Sequence, residues 1–463
     1  MTHDVLIVGG GSAGYAAART ARDEGANVGI IDQGPLGGLC ILRGCMPTKT
    51  ILRSSQILSL IRRAEEFGLY PVNAKANLRA IIDRKARLVK EFAEDRIQAL
   101  HDPQFTLYLE KGSFISPTQI QAGPHVLTAK AIVIATGSIV TRIPIPGLEE
   151  VGYITSDEAL ELRNPPKSLL ILGGGPVAIE LAQFFQRIGI KVTLIQRSSH
   201  ILSQGDEDLA RPVETRFREE GMTVYTDTQL IRFSKDGNQK TGHFIHEGQE
   251  KAVSVEEILQ ALGRHPNLEG LNLDVAKVAI HNGKILVDDT MRTSQSHIFS
   301  VGDVIGQSEI VHIAIRQGEI AGWNAIHPNQ PARRQDNRLD TQVVFTDPQV
   351  ACLGLSEKDC QSQGRPYLAA SYPFNDHGKS LVLGETHGHV KLLCHPTSGE
   401  LLGGHIVGPE AGELIHQLIA VMYYRGTVFD LLQMPHYHPT LAEILTYPAE
   451  DLAAQIRRGP PVL

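Results

Sequence analysis

Long apolar runs are missing from this sequence of 463 residues. No stretch approaches the roughly 20 residues that a helix needs to span a bilayer. A long basic run is also missing and the net charge is −7, so nothing indicates a nucleic-acid or anionic-membrane partner. The opening segment MTHDVLIVGGGSAG enters a predicted strand almost at once and lacks the features of a signal peptide. These absences predict a cytoplasmic protein with neither a membrane nor a nucleic acid as its partner.

Cysteine is scarce, with five residues in the chain. In the cytoplasm structural disulfides are rare, and a cysteine pair is more often catalytic or metal-binding. Cys40 and Cys45 lie close together in the segment GGLCILRGCMPTK, which runs into a helix predicted to begin near residue 48. A helix N-terminus stabilises a thiolate, and the short spacing lets one helical turn close a disulfide.

Three interpretations of this pair are a structural staple, half of a metal site and a redox-active dithiol. No CxxC or CxxH group lies elsewhere in the sequence to complete a zinc site. A redox dithiol is therefore favoured over the other two, and no metal site is predicted. The remaining cysteines are interpreted as buried or incidental, namely Cys352, Cys360 and Cys394.

Two well-separated segments follow the same plan. Residues 4–32 and residues 168–196 each predict a strand, a glycine turn, a helix and a second strand. Two such units indicate two nucleotide-binding domains. Long helices are predicted in the region that follows the cysteine pair. The segments 141–150 and 327–340, which are rich in proline or polar residues, are candidate domain boundaries.

The first unit carries the glycine fingerprint Gly9-x-Gly11-x-x-Gly14 at its strand-to-helix turn. The first glycine permits the tight turn, the second lets the backbone approach a pyrophosphate, and the third lets helix and strand pack closely. Asp32 ends the second strand, where its carboxylate can accept hydrogen bonds from a ribose. A glycine-rich turn without a ligand is the plainer interpretation, but the combination of strand, helix and distal acid predicts a dinucleotide site.

The second unit carries the related fingerprint Gly173-x-Gly175-x-x-Ala178. Gln196 occupies the position at which an acidic residue would accept a hydrogen bond from the 2′-hydroxyl of NAD, and Arg197 follows it. Without that acid the selection against NADP is lost, and a nearby arginine can pair with a 2′-phosphate. Local chemistry therefore leans slightly towards NADP, although Arg197 could simply point to solvent and NAD stays open.

The order of these motifs resembles that of the flavoprotein disulfide reductases, the pyridine nucleotide-disulfide oxidoreductases of class I. Further segments are similar to this family along nearly the whole chain. They are IVIATGS (132–138), ALGRHPN (261–267), TSQSHIFSVGDV (293–304), FTDPQVACLGLSE (345–357), GGHIVGPEAGELIHQ (403–417) and HYHPTLAEIL (436–445).

The resemblance implies an α/β fold with two Rossmann-like dinucleotide-binding domains and a C-terminal α+β dimerisation domain. The implied divisions are an FAD-binding domain over residues 1–147, an NAD(P)-binding domain over 148–267, a central part that completes the FAD domain over 268–335, and an interface domain over 336–463. It also implies a homodimer in which each active site is completed by the partner subunit.

The resemblance also assigns roles to matched positions. Cys45 would be the sulfur beside the flavin and Cys40 the sulfur that exchanges with substrate. Lys49 and Glu180 would pair near the flavin, and His438, oriented by Glu443, would be the base that deprotonates the substrate thiol. The positions implied for FAD are Gly9, Gly11, Gly14, Asp32, Gly38, Lys49, Thr136, Gly137 and Asp303. Those implied for NAD(P) are Gly173, Gly175, Ala178, Glu180, Gln196, Arg197 and Gly263.

The motif HPTLAE is closest to that of dihydrolipoamide dehydrogenases. The resemblance thus implies electron transfer between a dihydrolipoyl-type dithiol, the Cys40–Cys45 disulfide, FAD and NAD(P), with a lipoyl-bearing protein or a small dithiol or disulfide as the partner. The terminal segment IRRGPPVL contains no cysteine pair, which argues against a mercuric reductase.

Two alternatives stay open. One is an NADPH-dependent reductase of a small disulfide, similar to glutathione reductase, and the other is a flavin-bearing scaffold subunit of a larger complex. The spacer between the cysteines departs from the family pattern. Leu39 stands where threonine is usual, Leu42 where asparagine is usual, and Arg43 where valine is common. These departures bear on the choice of substrate.

Overall fold

A computed structural model describes residues 2–458. The terminal segment IRRGPPVL (456–463) lies partly outside this range. The chain divides into two compact units. The first comprises residues 1–50, 83–142 and 263–336, and the second comprises 51–82, 143–262 and 337–463. Both units mix helices with sheets, and the predicted α/β fold is confirmed. The finer division into four domains stays a prediction.

The strands of the described residues are Thr2–Val8 (β1), Val28–Ile31 (β2), Phe105–Tyr108 (β3), Gly112–Ser116 (β4), Gln119–Ala122 (β5), His125–Ile134 (β6), Ser138–Val140 (β7), Ser168–Leu172 (β8), Lys191–Ile195 (β9), Thr223–Tyr225 (β10), Thr228–Asp236 (β11), Gln239–His246 (β12), Gln249–Val255 (β13), Glu257–Gln260 (β14), Arg264–Pro266 (β15), Ile280–His281 (β16), Lys284–Ile285 (β17), Ile298–Ser300 (β18), Thr341–Val344 (β19), Gln349–Gly354 (β20), Leu368–Pro373 (β21), His389–Cys394 (β22) and Leu401–Gly408 (β23).

The α-helices of the same range are Ser12–Asp23 (α1), Gly38–Leu42 (α2), Cys45–Arg62 (α3), Leu78–Leu100 (α4), Leu148–Val151 (α5), Ser156–Ala159 (α6), Pro176–Arg187 (α7), Glu207–Glu219 (α8), Val311–Ile326 (α9), Glu357–Ser362 (α10), Gly378–Leu383 (α11), Ala411–Tyr423 (α12), Val428–Gln433 (α13) and Thr446–Arg458 (α14). Short 3₁₀ helices cover Ala64–Phe67, Gly302–Ile305, Asn337–Leu339, Phe374–Asp376 and Leu441–Leu445. Within residues 2–458, none of the helices combines the length and apolar character needed to cross a membrane.

The first unit is built on a sheet in the order β3-β2-β1-β6-β5-β4, with β18 pairing on β6. Strand β1 is parallel to both neighbours, and Val5 lies opposite Val28 on one side and Ala131 on the other. Its apolar run is buried on both faces because side chains alternate between two cores. Val5 and Ile7 face the core that includes α1, while Leu6 faces the other.

Helices α1 and α9 of the first unit pack closely because small residues line their contact. A Cβ added to Gly318 would lie 2.2 Å from the carbonyl oxygen of Ala13, and one added to Gly322 would lie 2.4 Å from that of Ala17. Both residue numbers rise together along this contact, so the two helices run in the same direction. The alanine-rich sequence of α1 thus lets this helix pack closely on α9 as well as on strand β1.

The second unit contains a parallel sheet in the order β10-β9-β8-β14 and an antiparallel sheet of β11, β12 and β13. Its C-terminal part is a five-stranded antiparallel sheet in the order β19-β20-β23-β22-β21. Helix α12 packs on this sheet through Ile415 and Leu418, which are fully buried. This arrangement is the α+β domain expected for the C-terminal region.

Lys391 of β22 is buried within a cluster of carboxylates in the second unit, with an exposed fraction of 2%. Its Nζ donates to Asp206 at 2.7 Å, to Asp208 at 2.8 Å and to Glu357 at 3.1 Å. Burial opposes ionisation of both aspartates, but the lysine and other donors outweigh it and hold the pKa of each below its usual range. The cluster therefore joins α8 and α10 to the C-terminal sheet by charge.

We predict that Lys391→Met destabilises the protein by about 3–5 kcal/mol, because breaking a buried ion pair leaves uncompensated charges. Since the folded-state pKa values of the aspartates are lowered, the cluster contributes stability at neutral pH that is lost as the pH falls below about 4. Urea unfolding at pH 7 and at acid pH measures both effects, and the deficit of the variant should shrink in acid. The control is Lys90→Met, in an exposed pair with Glu94, and a Lys391 deficit no larger than that of the control contradicts the account.

Candidate active site

The first glycine fingerprint forms a cradle in which Gly9 and Gly14 have no space for a Cβ. Gly9 has φ +107°, and a Cβ there would lie 2.3 Å from the carbonyl oxygen of Ala135. A Cβ on Gly14 would lie 1.8 Å from the carbonyl oxygen of Gly9. Gly11 precedes α1 in an extended conformation. Backbone N–H groups at the start of α1 are thus not covered by a capping side chain and can donate hydrogen bonds to a phosphate.

Asp32 is fixed at the end of β2 by two backbone donors. Its carboxylate accepts hydrogen bonds from the N–H of Gly10 at 2.7 Å and from that of Gly34 at 2.7 Å. A carboxylate has further lone pairs, so the same group can still accept from a ribose hydroxyl. The residue is half-buried beside the fingerprint, where the sequence predicts it to act.

Asp303 lies in a network that the sequence motifs did not indicate. The hydroxyl of Ser138 donates to its carboxylate at 2.8 Å, and the guanidinium of Arg264 donates to Ser138 Oγ at 2.9 Å. Burial raises the pKa of Asp303, and the hydrogen bond from Ser138 and the charge of Arg264 oppose that shift. Ser138 and Arg264 come from β7 and β15, which pair with each other, and this pairing holds both around Asp303.

The remaining positions implied for FAD in the first unit lie close to these strands. Thr136 donates through Oγ1 to the carbonyl oxygen of Asn267 at 2.8 Å, and Gly137 has φ +72°. Gly263, which the sequence assigns to NAD(P), has φ +107° and its carbonyl oxygen accepts from Thr141 at 3.0 Å. The role of Gly263 in coenzyme binding stays a prediction.

Cys40 and Cys45 are in the thiol form, not joined as a disulfide, and both are half-buried. Cys40 lies in α2, whereas Cys45 is the first residue of α3, so the helix begins three residues earlier than the predicted start near residue 48. The predicted start was too late because Pro47 fits in a first turn, where its missing N–H has no partner to lose. Thr48 bonds back to the carbonyl oxygen of Gly44 and so stabilises this turn.

The two thiols interact directly. A hydrogen bond from the Cys40 thiol to Cys45, together with burial, raises the pKa of Cys40 well above its usual range. The charge of Lys49, one helical turn after Cys45, acts in the opposite direction. Burial and the hydrogen bond therefore disfavour negative charge at Cys40, while the start of α3 favours it at Cys45.

Helix α2 packs on the dinucleotide turn within the first unit. Gly38 has φ +77°, and a Cβ there would lie 2.8 Å from the Cα of Gly11. Gly38 is therefore placed beside the fingerprint, two residues before Cys40. The site brings the thiol pair and the dinucleotide turn together.

The second fingerprint repeats this geometry in the second unit. Gly173 has φ +115°, and a Cβ there would lie 2.4 Å from the carbonyl oxygen of Ala261. Gly175 precedes α7 with open space around it, Pro176 fits at the first position, and Ala178 is fully buried. The turn is shaped for a second dinucleotide.

Three polar residues of the second unit complete this region. Glu180 is buried and its carboxylate accepts a hydrogen bond from the backbone N–H of Phe345 at 2.8 Å. The side chain of Gln196 lies against Gly174 of the fingerprint, and Arg197 is exposed. Exposure leaves Arg197 accessible to a phosphate, and the pair of Lys49 with Glu180 stays a prediction.

His438 and Glu443 form a hydrogen-bonded pair. Nδ1–H of His438 donates to Glu443 at 2.9 Å, and the second carboxylate oxygen accepts from the N–H of Thr440 at 2.7 Å. These donors, led by the Thr440 amide, lower the pKa of Glu443. The imidazole is 81% exposed while the carboxylate is 18% exposed, so Nε2 is open to a molecule outside the chain.

Two glycine turns of the dinucleotide-binding type and a thiol pair are typical of oxidoreductases that act on sulfur. Residues 3–318 match the family model described as pyridine nucleotide-disulphide oxidoreductase, and residues 341–449 match the dimerisation domain of that family. The chain belongs to this family. It is an enzyme that uses FAD and NAD or NADP, and the dimerisation domain supports a homodimer.

Similar proteins span nearly the whole chain. It is 32% identical to a mercuric reductase of Staphylococcus aureus, over 95% of this chain and 81% of that protein. It is 30% identical to a dihydrolipoyl dehydrogenase of Bacillus subtilis (strain 168), over 96% of each chain. The structure of the HOCl-induced flavoprotein disulfide reductase RclA from Escherichia coli, as a Cu(II) complex, is similar with a TM-score of 0.85, 25% identity, and coverage of 97% of this chain and 99% of that chain.

The residues present fit FAD at the first fingerprint. Glycines stand where a Cβ would collide or would hold a phosphate away from the backbone, and Asp32 and Asp303 supply acceptors for hydroxyl groups. Among the described residues, no three histidine, cysteine, aspartate or glutamate side chains are grouped to hold a metal ion.

We predict that Gly11→Ala and Gly175→Ala separate the two dinucleotide sites. A Cβ at Gly11 meets nothing nearer than 3.9 Å, and one at Gly175 meets nothing within 4 Å, so both variants should fold. Because the methyl group holds a pyrophosphate away from the backbone, Gly11→Ala should lose most of its FAD, whereas Gly175→Ala should keep FAD and raise the KM for the nicotinamide roughly 10-fold. Flavin absorbance per protein and steady-state kinetics measure this, and loss of FAD in Gly175→Ala would reject the assignment.

Proposed function

We propose that this enzyme passes electrons between a dihydrolipoyl-type dithiol and NAD or NADP, through a Cys40–Cys45 disulfide and FAD. The observation that carries this proposal is the hydrogen-bonded thiol pair at the start of α3, beside the glycine turn that fits FAD. When bound, FAD supplies a two-electron carrier between the thiols and the nicotinamide. The pair supplies a sulfur that can form a covalent bond with the substrate.

The chemistry assigned to the pair is disulfide exchange. A substrate thiolate attacks the sulfur of Cys40, which forms a mixed disulfide and breaks the Cys40–Cys45 bond. The leaving group is the thiolate of Cys45, which the dipole of α3 and the charge of Lys49 stabilise. The second substrate thiol then attacks the substrate sulfur of the mixed disulfide, a cyclic disulfide leaves, and Cys40 is released. Two electrons have then moved from the substrate to the pair.

The raised pKa of Cys40 supports the assignment of different roles to the two sulfurs, with exchange at Cys40 and the leaving thiolate at Cys45. In the dithiol form the proton stays on Cys40, where it keeps the hydrogen bond to Cys45. The dipole of α3 and the charge of Lys49 favour negative charge at Cys45, at the end of the pair assigned to the flavin.

His438 is assigned as the base that takes the proton of the substrate thiol. Glu443 accepts from Nδ1–H, so the lone pair of the neutral imidazole is on Nε2. The exposure of the ring supports a base that serves the site of a second chain, and in the homodimer the base would be His438 of the partner subunit.

The substrate class is proposed from the motif HPTLAE (438–443), which is most similar to that of dihydrolipoamide dehydrogenases, and from relatives with the name dihydrolipoyl dehydrogenase. A lipoyl-bearing protein is then the partner and the cytoplasm the proposed location. A second candidate is an NADPH-dependent reductase of a small disulfide, which Gln196 and Arg197 favour. A flavin-bearing scaffold is disfavoured because it needs neither Cys40 nor His438.

Anaerobic reduction of the holoenzyme, followed through the flavin spectrum, tests the proposal. Dihydrolipoamide should reduce the enzyme within the time of a turnover, and NAD or NADP should then reoxidise it. Reduction by NADPH with turnover of glutathione disulfide, and no response to dihydrolipoamide, would establish the second candidate instead. Mercuric ion belongs in the same panel because a relative is named a mercuric reductase.

We predict that Arg197→Gln raises the KM for NADP roughly 10-fold or more, as expected for the loss of a charge-assisted hydrogen bond to the 2′-phosphate. The KM for NAD should change less than about twofold, because NAD lacks that phosphate. Steady-state kinetics with both coenzymes measure the difference. Arg232→Gln, which changes an arginine of β11 with 49% side-chain exposure, is the matched control. Equal weakening of both coenzymes would show that Arg197 does not contact the phosphate.

A further inference from the structure

Glu309 is a carboxylate that the exchange mechanism does not use. It lies in the loop between the 3₁₀ helix Gly302–Ile305, which contains Asp303, and helix α9. Within residues 2–458 its carboxylate has neither an ion pair nor a hydrogen bond. It is exposed to solvent, yet its pKa is raised, first by burial and then by the charge of Asp303. The carboxylate therefore lies at the surface of the first unit, close enough to Asp303 for the charge of Asp303 to raise its pKa.

The register of α9 on α1 places this loop along the dinucleotide site. Gly318 packs on Ala13, which is one residue after the start of α1, whereas Gly318 is seven residues after the start of α9. The two helices run in the same direction, so α9 begins about 9 Å beyond the start of α1, at a rise of roughly 1.5 Å per residue. Glu309 precedes that beginning and therefore lies past the turn that fits the FAD pyrophosphate.

A second contact fixes the same loop on the dinucleotide turn. A Cβ on Gly302 would lie 3.1 Å from the Cβ of Ala13, and the N–H of Gly302 donates to Gln317 of α9 at 2.8 Å. Asp303, next in sequence, is held by Ser138. Asp303 and Glu309 are thus two carboxylates on the side of the turn that bears the rest of a bound dinucleotide.

The cations near Glu309 are engaged elsewhere. Those that lower its pKa are Arg264 and Lys284. Arg264 donates to Ser138, through Oγ and the backbone carbonyl, and Lys284 donates to the carbonyl oxygen of Gly306 at 2.6 Å. Neither forms an ion pair with Glu309. The charge of Glu309 is therefore only partly compensated.

We infer that Glu309 lowers the midpoint potential of bound FAD, because it places a negative charge beside the flavin. Reduction adds electrons and negative charge to the flavin, so a nearby carboxylate disfavours the reduced form more than the oxidised form. Electrons then pass more readily from the flavin to the nicotinamide. The inference goes beyond the proposed function and depends only on FAD binding, so it holds whichever thiol or disulfide is the substrate.

The test is the flavin midpoint potential of Glu309→Gln, measured in a Cys45→Ser background so that the thiol pair does not titrate. We expect a positive shift equivalent to a threefold to tenfold change in the reduction equilibrium, where tenfold is about 30 mV for two electrons. Glu319→Gln is the matched control, because Glu319 lies ten residues further along the chain on α9 and pairs with Arg19. It should leave the potential unchanged.

A second measurement separates charge from folding. The affinity of the apoenzyme for oxidised FAD should change less than about twofold in Glu309→Gln, while that for reduced FAD should rise by the factor seen in the potential. An unchanged potential, or equal changes in both affinities, would overturn the inference. Either result would leave the proposed dithiol substrate to be judged by its own spectral test.

Discussion

The proposed redox site depends on a contact between two stretches of backbone. Gly11 at the dinucleotide turn meets Gly38 at the start of α2, so closely that a Cβ on Gly38 would lie 2.8 Å from the Cα of Gly11. A side chain at Gly38 would force the two segments apart. Because the contact is made by backbone alone, it fixes the distance from the cofactor turn to Cys40, and through the short link to α3 it also places Cys45 and Lys49.

Charge is distributed in a consistent way within each of the two units. The pKa of the Cys40 thiol is raised by its hydrogen bond to Cys45, and that of Asp303 is raised by burial. In the second unit, the Thr440 amide leads the donors that hold the pKa of Glu443 below its usual range. Ionisation is thus disfavoured at Cys40 and Asp303 and favoured at Glu443, which orients the imidazole of His438. The proposed mechanism uses both arrangements.

Local sequence predicted the parts of the site that have local causes. Gly9, Gly14 and Gly173 could be identified because their places in a strand-to-helix turn leave no space for a Cβ, and Gly11 and Gly175 because a Cβ there would hold a pyrophosphate away from the backbone. Cys40, Cys45 and the His438–Glu443 spacing were recognised through motifs that are continuous in the chain. The start of α3 was predicted three residues too late, because Pro47 was not expected inside the first turn.

Long-range contacts could not be predicted in the same way. Strand pairing brings Ser138 and Arg264 to Asp303. Their hydrogen bonds cannot be predicted from the spacing of these residues in the sequence. The same holds for Lys391 and its three carboxylates, which come from different elements. Glu309 follows a recognised motif in the sequence, but its position relative to the dinucleotide turn depends on the register of α9 on α1. The substrate is not fixed by the fold, because relatives with different names share it.

The central claim is that Cys40 and Cys45 form a second two-electron centre beside the flavin. Anaerobic titration of the holoenzyme with dithionite, followed through the flavin absorbance, counts the electrons directly. The account predicts that two two-electron equivalents per FAD are needed for full reduction, and that Cys45→Ser needs one. Full reduction of the unaltered enzyme by a single equivalent would contradict it.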